Sequence, residues 1–251
     1  MKPLVHSMTA AKKFGGQWQN YIEIHSFLDS SKASISTNQH RAQFHSDWGV
    51  STSEALFGAE VTNSDGAKVA VREIAEQHCR EDVGFVPTIE QWLERNERYP
   101  AYFSARVRRR QLDDVRADPA QAFADRYQGE PGQFQPIIDF FDAGAKRSGN
   151  PTSPVAAATL NSLTIFVSER LFGHALTTRR KAPIPVREIG ELLALSRWGV
   201  VPSMPHVFTG IVLTTWMNGG ERNEHRREAL KMEDSLSNQT LNEASDAAGM
   251  K

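Results

Sequence analysis

Cysteine is nearly absent from this chain. Cys79 is the single thiol among 251 residues, which excludes an intramolecular disulfide and fits a reducing compartment. An excess of charge of either sign is missing too. Lys and Arg number 29 against 30 Asp and Glu, a formal net charge of −1, so no global field draws the chain to nucleic acid or an anionic membrane. No apolar run approaches the roughly 18–20 residues that span a bilayer. Residues 1–16 carry lysines but no apolar stretch of the kind a secretory signal needs. The Gly-rich phosphate loop, Gly-x-Ser-x-Gly, His-Glu-x-x-His and paired Cys-x-x-Cys are all missing, and nothing marks an organic cofactor. What remains is a globular chain, 39% hydrophobic and 24% charged, expected to be soluble and cytoplasmic.

What is present is a repeat. Ser53-Glu54-Ala55-Leu56-Phe57-Gly58 returns as Ser168-Glu169-Arg170-Leu171-Phe172-Gly173, a shift of 115. Val71-Arg72-Glu73-Ile74 returns as Val186-Arg187-Glu188-Ile189 at the same shift, and so do Gly84, Val86 and Pro87 as Gly199, Val201 and Pro202. Upstream, Phe27-Leu28-Asp29 matches Phe140-Phe141-Asp142 at 113, so a short insertion intervenes. Convergent helical patterning would not keep three blocks in one register, so the chain is a tandem duplication.

The fold expected is mainly α: a small helical module with a short β-hairpin, duplicated and packed as an internal pseudo-dimer. Copy one covers residues 1–95, a helical linker 96–132, copy two 133–218 and a polar tail 219–251. Apolar spacing predicts helices over 21–32, 37–56, 71–81 and 89–97, with Gly58 and Gly84 as stops and Thr88 as an N-cap. Glu60-Val61-Thr62, the turn Asn63-Ser64-Asp65-Gly66, and Lys68-Val69-Ala70-Val71 read as the hairpin. In copy two, Pro183 and Pro185 withdraw ladder donors and make that hairpin short or irregular.

Copy one gathers His25, Asp29, His40, His45, His78 and Asp82 onto these helices. His25 and Asp29 are four apart and so are His78 and Asp82, each pair one turn apart on a face. The repeat supplies an internal control. His40, His45 and His78 face Val155, Leu160 and Leu193, and Asp82 faces Arg197. A solvated surface would not turn aliphatic three times, so these histidines point inward, where polar groups need partners. Arg72, Glu73 and Glu76 persist in copy two and read as structural.

Packed helices build metal sites from imidazoles and carboxylates, and this set suits zinc, manganese or iron. His40, His45, His78 and Asp82 are therefore the expected ligands. His25 and Asp29 are further ligands, or an acid/base pair behind them. The basic groups Arg108-Arg109-Arg110 and Thr178-Arg179-Arg180-Lys181 are too small to make a nucleic-acid groove.

As an ordered set, Ala11-Lys12-Lys13-Phe14-Gly15-Gly16, Ile24-His25, Asp29-Ser30-Ser31-Lys32, His40-Arg41-Ala42, Asn63-Ser64-Asp65-Gly66 and Glu76-Gln77-His78 resemble a family of short, single-module bacterial and phage proteins, a domain of unknown function. Glu81-Asp82, Gly84, Pro87-Thr88 and Trp92-Leu93 complete the resemblance, over about residues 5–95. Members often carry a His-His pair where this chain has His45-Ser46. The resemblance implies the place of a site and no activity. Two functions are thus expected: a metal-binding protein, extending to a metal-dependent hydrolase of a phosphate ester or nucleotide, or a non-enzymatic phage or mobile-element protein that binds a host protein. In the second, the histidines form a buried hydrogen-bond network. Fused copies would leave such a chain monomeric, and its ligand or partner is not written in the sequence.

Overall fold

A computed structural model describes residues 2–97, 112–179 and 182–218. Its described residues form two compact units. One comprises residues 2–30, 44–87 and 213–218, and the other residues 31–43, 88–97, 112–179 and 182–212. The expected polar tail and Arg108-Arg109-Arg110 lie outside the described residues, as do Arg180 and Lys181.

In the first unit, α1 (Pro3–Phe14) packs on α2 (Ile22–Leu28), and both rest on α5 (Val71–Val83). The helix α4 (Asp47–Phe57) packs on α5 and α2, and follows the short α3 (Arg41–Phe44), whose residues 41–43 belong to the second unit. The hairpin strands β1 (Glu60–Thr62) and β2 (Lys68–Ala70) pair antiparallel with Val61 opposite Val69.

The helix expected over 37–56 is broken. A 3-10 turn at Asn38–His40 and α3 precede α4, and the break falls at His45-Ser46. Ser46 is extended and its hydroxyl accepts from the Gly49 amide, so it starts a helix rather than continuing one. Gly49 lies so close to the Phe44 carbonyl that a Cβ would stand 1.9 Å from its oxygen.

The paired glycines of the Ala11–Gly16 motif close a corner. Gly15 and Gly16 have φ of 80° and 71°, a left-handed region that glycine enters without strain. There the Gly16 amide donates to Asp65 and Asn63 Nδ2 donates to the Phe14 carbonyl. The turn and the glycine pair, far apart in sequence, are one lock.

The second unit holds α6 (Ile89–Leu93), α7 (Asp113–Ala117), α8 (Pro119–Tyr127), α9 (Pro131–Phe141), α10 (Ala143–Ser148) and α11 (Pro154–Thr159). It continues with α12 (Ser162–Phe172), strands β3 (Ala175–Leu176) and β4 (Ile184–Pro185), α13 (Val186–Trp198) and α14 (Met204–Phe208). Each strand of this hairpin has two residues, as Pro183 and Pro185 led us to expect.

The duplication shows in individual bonds. The Asp47 amide donates to Pro87 and the Ser162 amide to Pro202, while the Val71 amide donates to Ala59 and the Val186 amide to His174. Asn161 caps α12 where Ser46 caps α4. Within the second unit, residues meet their own counterparts at the 115-residue shift. Gln43 Nε2 donates to the Ala158 carbonyl at 3.0 Å, and Asn96 bridges to Ile211 in antiparallel fashion. Contact between equivalents is what a two-fold dimer makes at its axis, and it accompanies a mainly helical fold built by tandem duplication. No described helix is long and apolar enough to cross a membrane.

Candidate metal centre

The site belongs wholly to the first unit, and α5 is its foundation. His78 and Asp82 sit one turn apart on the face of α5 that also buries Ile74 and Ala75. From α2 comes His25, and Asp29 is the residue that closes that helix. His45 stands in the break between α3 and α4, directly before the capping Ser46. A carboxylate at a helix C-terminus opposes the helix dipole, so Asp29 is not a favourable cap and its place asks for a cation.

These side chains converge. His45 Nε2 lies 3.0 Å from His78 Nε2, 3.1 Å from Asp82 Oδ2 and 3.6 Å from Asp29 Oδ1. His78 Nε2 lies 3.8 Å from the same Asp29 oxygen, and one ligand atom from each of the four residues falls within 4.8 Å of all the others. Ligands at about 2.0–2.2 Å from a tetrahedral ion stand roughly 3.3–3.6 Å apart. The four measured edges straddle that range. Asp29, His45, His78 and Asp82 can hold a metal ion, and all four are at most 4% exposed.

Burial pushes the His45 imidazole down to about 3 and His78 to about 4, and holds His25 well below its ordinary value. All three are neutral at pH 7, with a lone pair to offer. Burial alone would raise Asp82, but contacts with His45 and His6 outweigh it and hold the carboxyl well below the usual range. Cys79 is also buried and its thiol is pushed up, so it is no thiolate ligand.

Behind the four donors, His25 Nδ1 meets His78 Nδ1 at 3.0 Å, and the two rings stack with centroids 5.2 Å apart. His25 thus lies against a donor rather than among the four. His40 does not join them. It is buried in the second unit, with Nδ1 2.7 Å from the Thr37 carbonyl and its own carbonyl accepting from Ser31. The change to Val155 signalled burial correctly, but burial at another place.

Two residues of this cluster escaped the sequence reading. His6, on α1, is fully buried, with Nδ1 2.6 Å from Glu81 Oε2 and Nε2 3.4 Å from Asp82 Oδ1. Burial pulls its imidazole down, but contacts with Asp82 and Glu81 outweigh this and raise it. Glu81 is held below its ordinary value by His6, Gln77 and Thr9 against the opposing effect of burial. The same register test could not reveal His6, because the repeated blocks begin at Phe27 and none covers α1. Arg72 pairs with Glu54 at the surface and Arg187 with Glu169, the structural role their persistence suggested.

No curated protein and no solved structure matches this chain. One family model matches it twice, over residues 1–102 and 116–217, consistent with the repeated unit. The chain belongs to the family described as a domain of unknown function, DUF6915.

Proposed function

We propose that this protein binds one divalent metal ion through Asp29, His45, His78 and Asp82, with copy two as scaffold. The observation that carries this is the convergence on His45 Nε2. That atom has three polar neighbours, His78 Nε2, Asp82 Oδ2 and Asp29 Oδ1, within 3.6 Å. A neutral imidazole nitrogen carries one proton or one lone pair. With the proton it serves one carboxylate and offers nothing to His78, and without it it sets a lone pair against both carboxylates. One cation accepts a lone pair from every atom of this set, which no single tautomer of His45 does. Two buried carboxylates also need compensating charge.

His78 Nδ1–H donating to His25 would leave Nε2 bare toward the ion, the arrangement that orients metal-bound histidines. The nitrogen and oxygen donors suit zinc, manganese or iron. A finer reading makes the protein a hydrolase of a phosphate ester or nucleotide, the ion lowering the pKa of a bound water. Donor chemistry supports it, while the burial of all four donors favours holding the ion. The interaction-protein reading rests on the network that the proton count disfavours.

Competition with a chromophoric chelator, using Zn(II), Mn(II) and Fe(II) in turn, tests the proposal. One equivalent should bind, and a ligand present at a hundred times its Kd should stabilise the fold by about 2.7 kcal/mol. No binding of any of the three, with an unmoved melting temperature, overturns it. Phosphate release from p-nitrophenyl phosphate by the loaded protein alone would support the finer reading.

A further inference from the structure

We propose that His6 is a positioning residue for Asp82, through which helix α1 sets the metal affinity of the site. This rests on the metal reading above. His6 is fully buried between two carboxylates, with Nδ1 at 2.6 Å from Glu81 Oε2 and Nε2 at 3.4 Å from Asp82 Oδ1. Asp82 turns its other oxygen, Oδ2, to His45 at 3.1 Å. The carboxylate is thus aimed by a histidine on each side, one a donor and the other not.

His6 is itself held in place. Glu81 Oε1 lies 2.6 Å from Gln77 Nε2 and 2.7 Å from Thr9 Oγ1. Thr9 and His6 are one turn apart on α1, so this helix grips Glu81 with two side chains. The His6 ring also lies against the His78 ring, centroids 3.9 Å apart. It therefore restricts two of the four donors while supplying none. Without it, Asp82 is free to rotate Oδ2 away from the ion. Residues that orient metal ligands typically govern affinity by roughly 10–100-fold.

The test measures Zn(II) affinity of the full chain by chelator competition, alongside thermal unfolding of the metal-free forms. His6→Asn keeps an amide near the Nδ1 position, facing Glu81, but does not reach Asp82. His6→Gln places its amide nitrogen near Nε2, facing Asp82. The expected result is zinc binding weakened roughly 10–100-fold in His6→Asn and largely restored in His6→Gln, at similar metal-free stability. Glu81→Gln, at a side chain 10% exposed rather than fully buried, should weaken zinc binding by a smaller factor and keeps the question answerable if the His6 variants do not fold. Unchanged affinity in Glu81→Gln, or equal losses in His6→Asn and His6→Gln that follow their stability, overturns the proposal. If the wild-type chain binds none of Zn(II), Mn(II) and Fe(II), the metal reading itself has failed and this inference falls with it; if it binds Mn(II) or Fe(II) and not Zn(II), the same comparison is made with that ion.

Discussion

The interiors of the two copies answer one problem in opposite ways. In copy two, Asp142 ends α9 as Asp29 ends α2, and the buried Arg197 guanidinium reaches it from α13. Around that pair the positions of His25, His45 and His78 hold Ile138, Leu160 and Leu193, all buried. Copy one has Asp82 where Arg197 stands, so a cation has become an anion. The exchange alters the local charge by two, the charge of a divalent ion. The same helical frame thus holds its helix-ending carboxylate with an internal arginine in one copy and with imidazoles and a second carboxylate in the other.

The strongest way to break this comparison is to build copy two's interior into copy one. His25→Ile, His45→Leu, His78→Leu and Asp82→Arg together should abolish metal binding, read by elemental analysis, while giving Asp29 the guanidinium partner that Asp142 has. Exchanging a buried polar cluster for a packed one is often neutral or stabilising, so metal-free denaturant midpoints should not fall.

Acidity separates the copies next. The folded chain keeps His45 and His78 neutral down to about 3 and about 4, and His25 well below the ordinary value, whereas the unfolded chain protonates all three near 6.5. The unfolded state then binds more protons as pH falls below 6.5, so metal-free stability must fall with it. His6, raised in the fold, is protonated in both states below that value, so its contribution is already in place there and is lost only as pH rises above it. Three histidines at up to about 1.4 kcal/mol per pH unit each amount to a loss on the order of 5 kcal/mol between pH 6.5 and 5. Denaturant unfolding should show that loss in the wild type and a much smaller one in the fourfold variant.

Leu193→Ala should cost about 2–5 kcal/mol through the cavity it leaves, with metal stoichiometry unchanged, because the leucine fills space that His78 occupies in copy one. The smallest effect belongs to the feature both copies keep. Arg72→Ala and Arg187→Ala remove exposed pairs and should each cost under about 1 kcal/mol, measured by thermal unfolding, without touching the metal.

Much of this was legible because the duplication acts as an internal mutagenesis experiment. His45→Leu160 and His78→Leu193 are changes only a buried position accepts. Asp29 is conserved as Asp142, so the comparison said nothing about its weight, and its spacing from His25 alone suggested it. His40 shows the limit of the test, since replacement by Val155 reports burial and not company. The break at Ser46 was missed because apolar spacing runs through it, whereas the serine cap and the close approach of Gly49 to Phe44 decide it. His6 was hidden because no register survives over α1, and its neighbours come from α5, more than seventy residues away.

The central claim is that one copy alone holds an ion. Native mass spectrometry of the chain reconstituted with Zn(II) tests it directly. The account predicts a mass shift of one zinc per chain, lost in His78→Leu. Two zinc ions per chain, or no bound ion with Zn(II), Mn(II) or Fe(II), would contradict it.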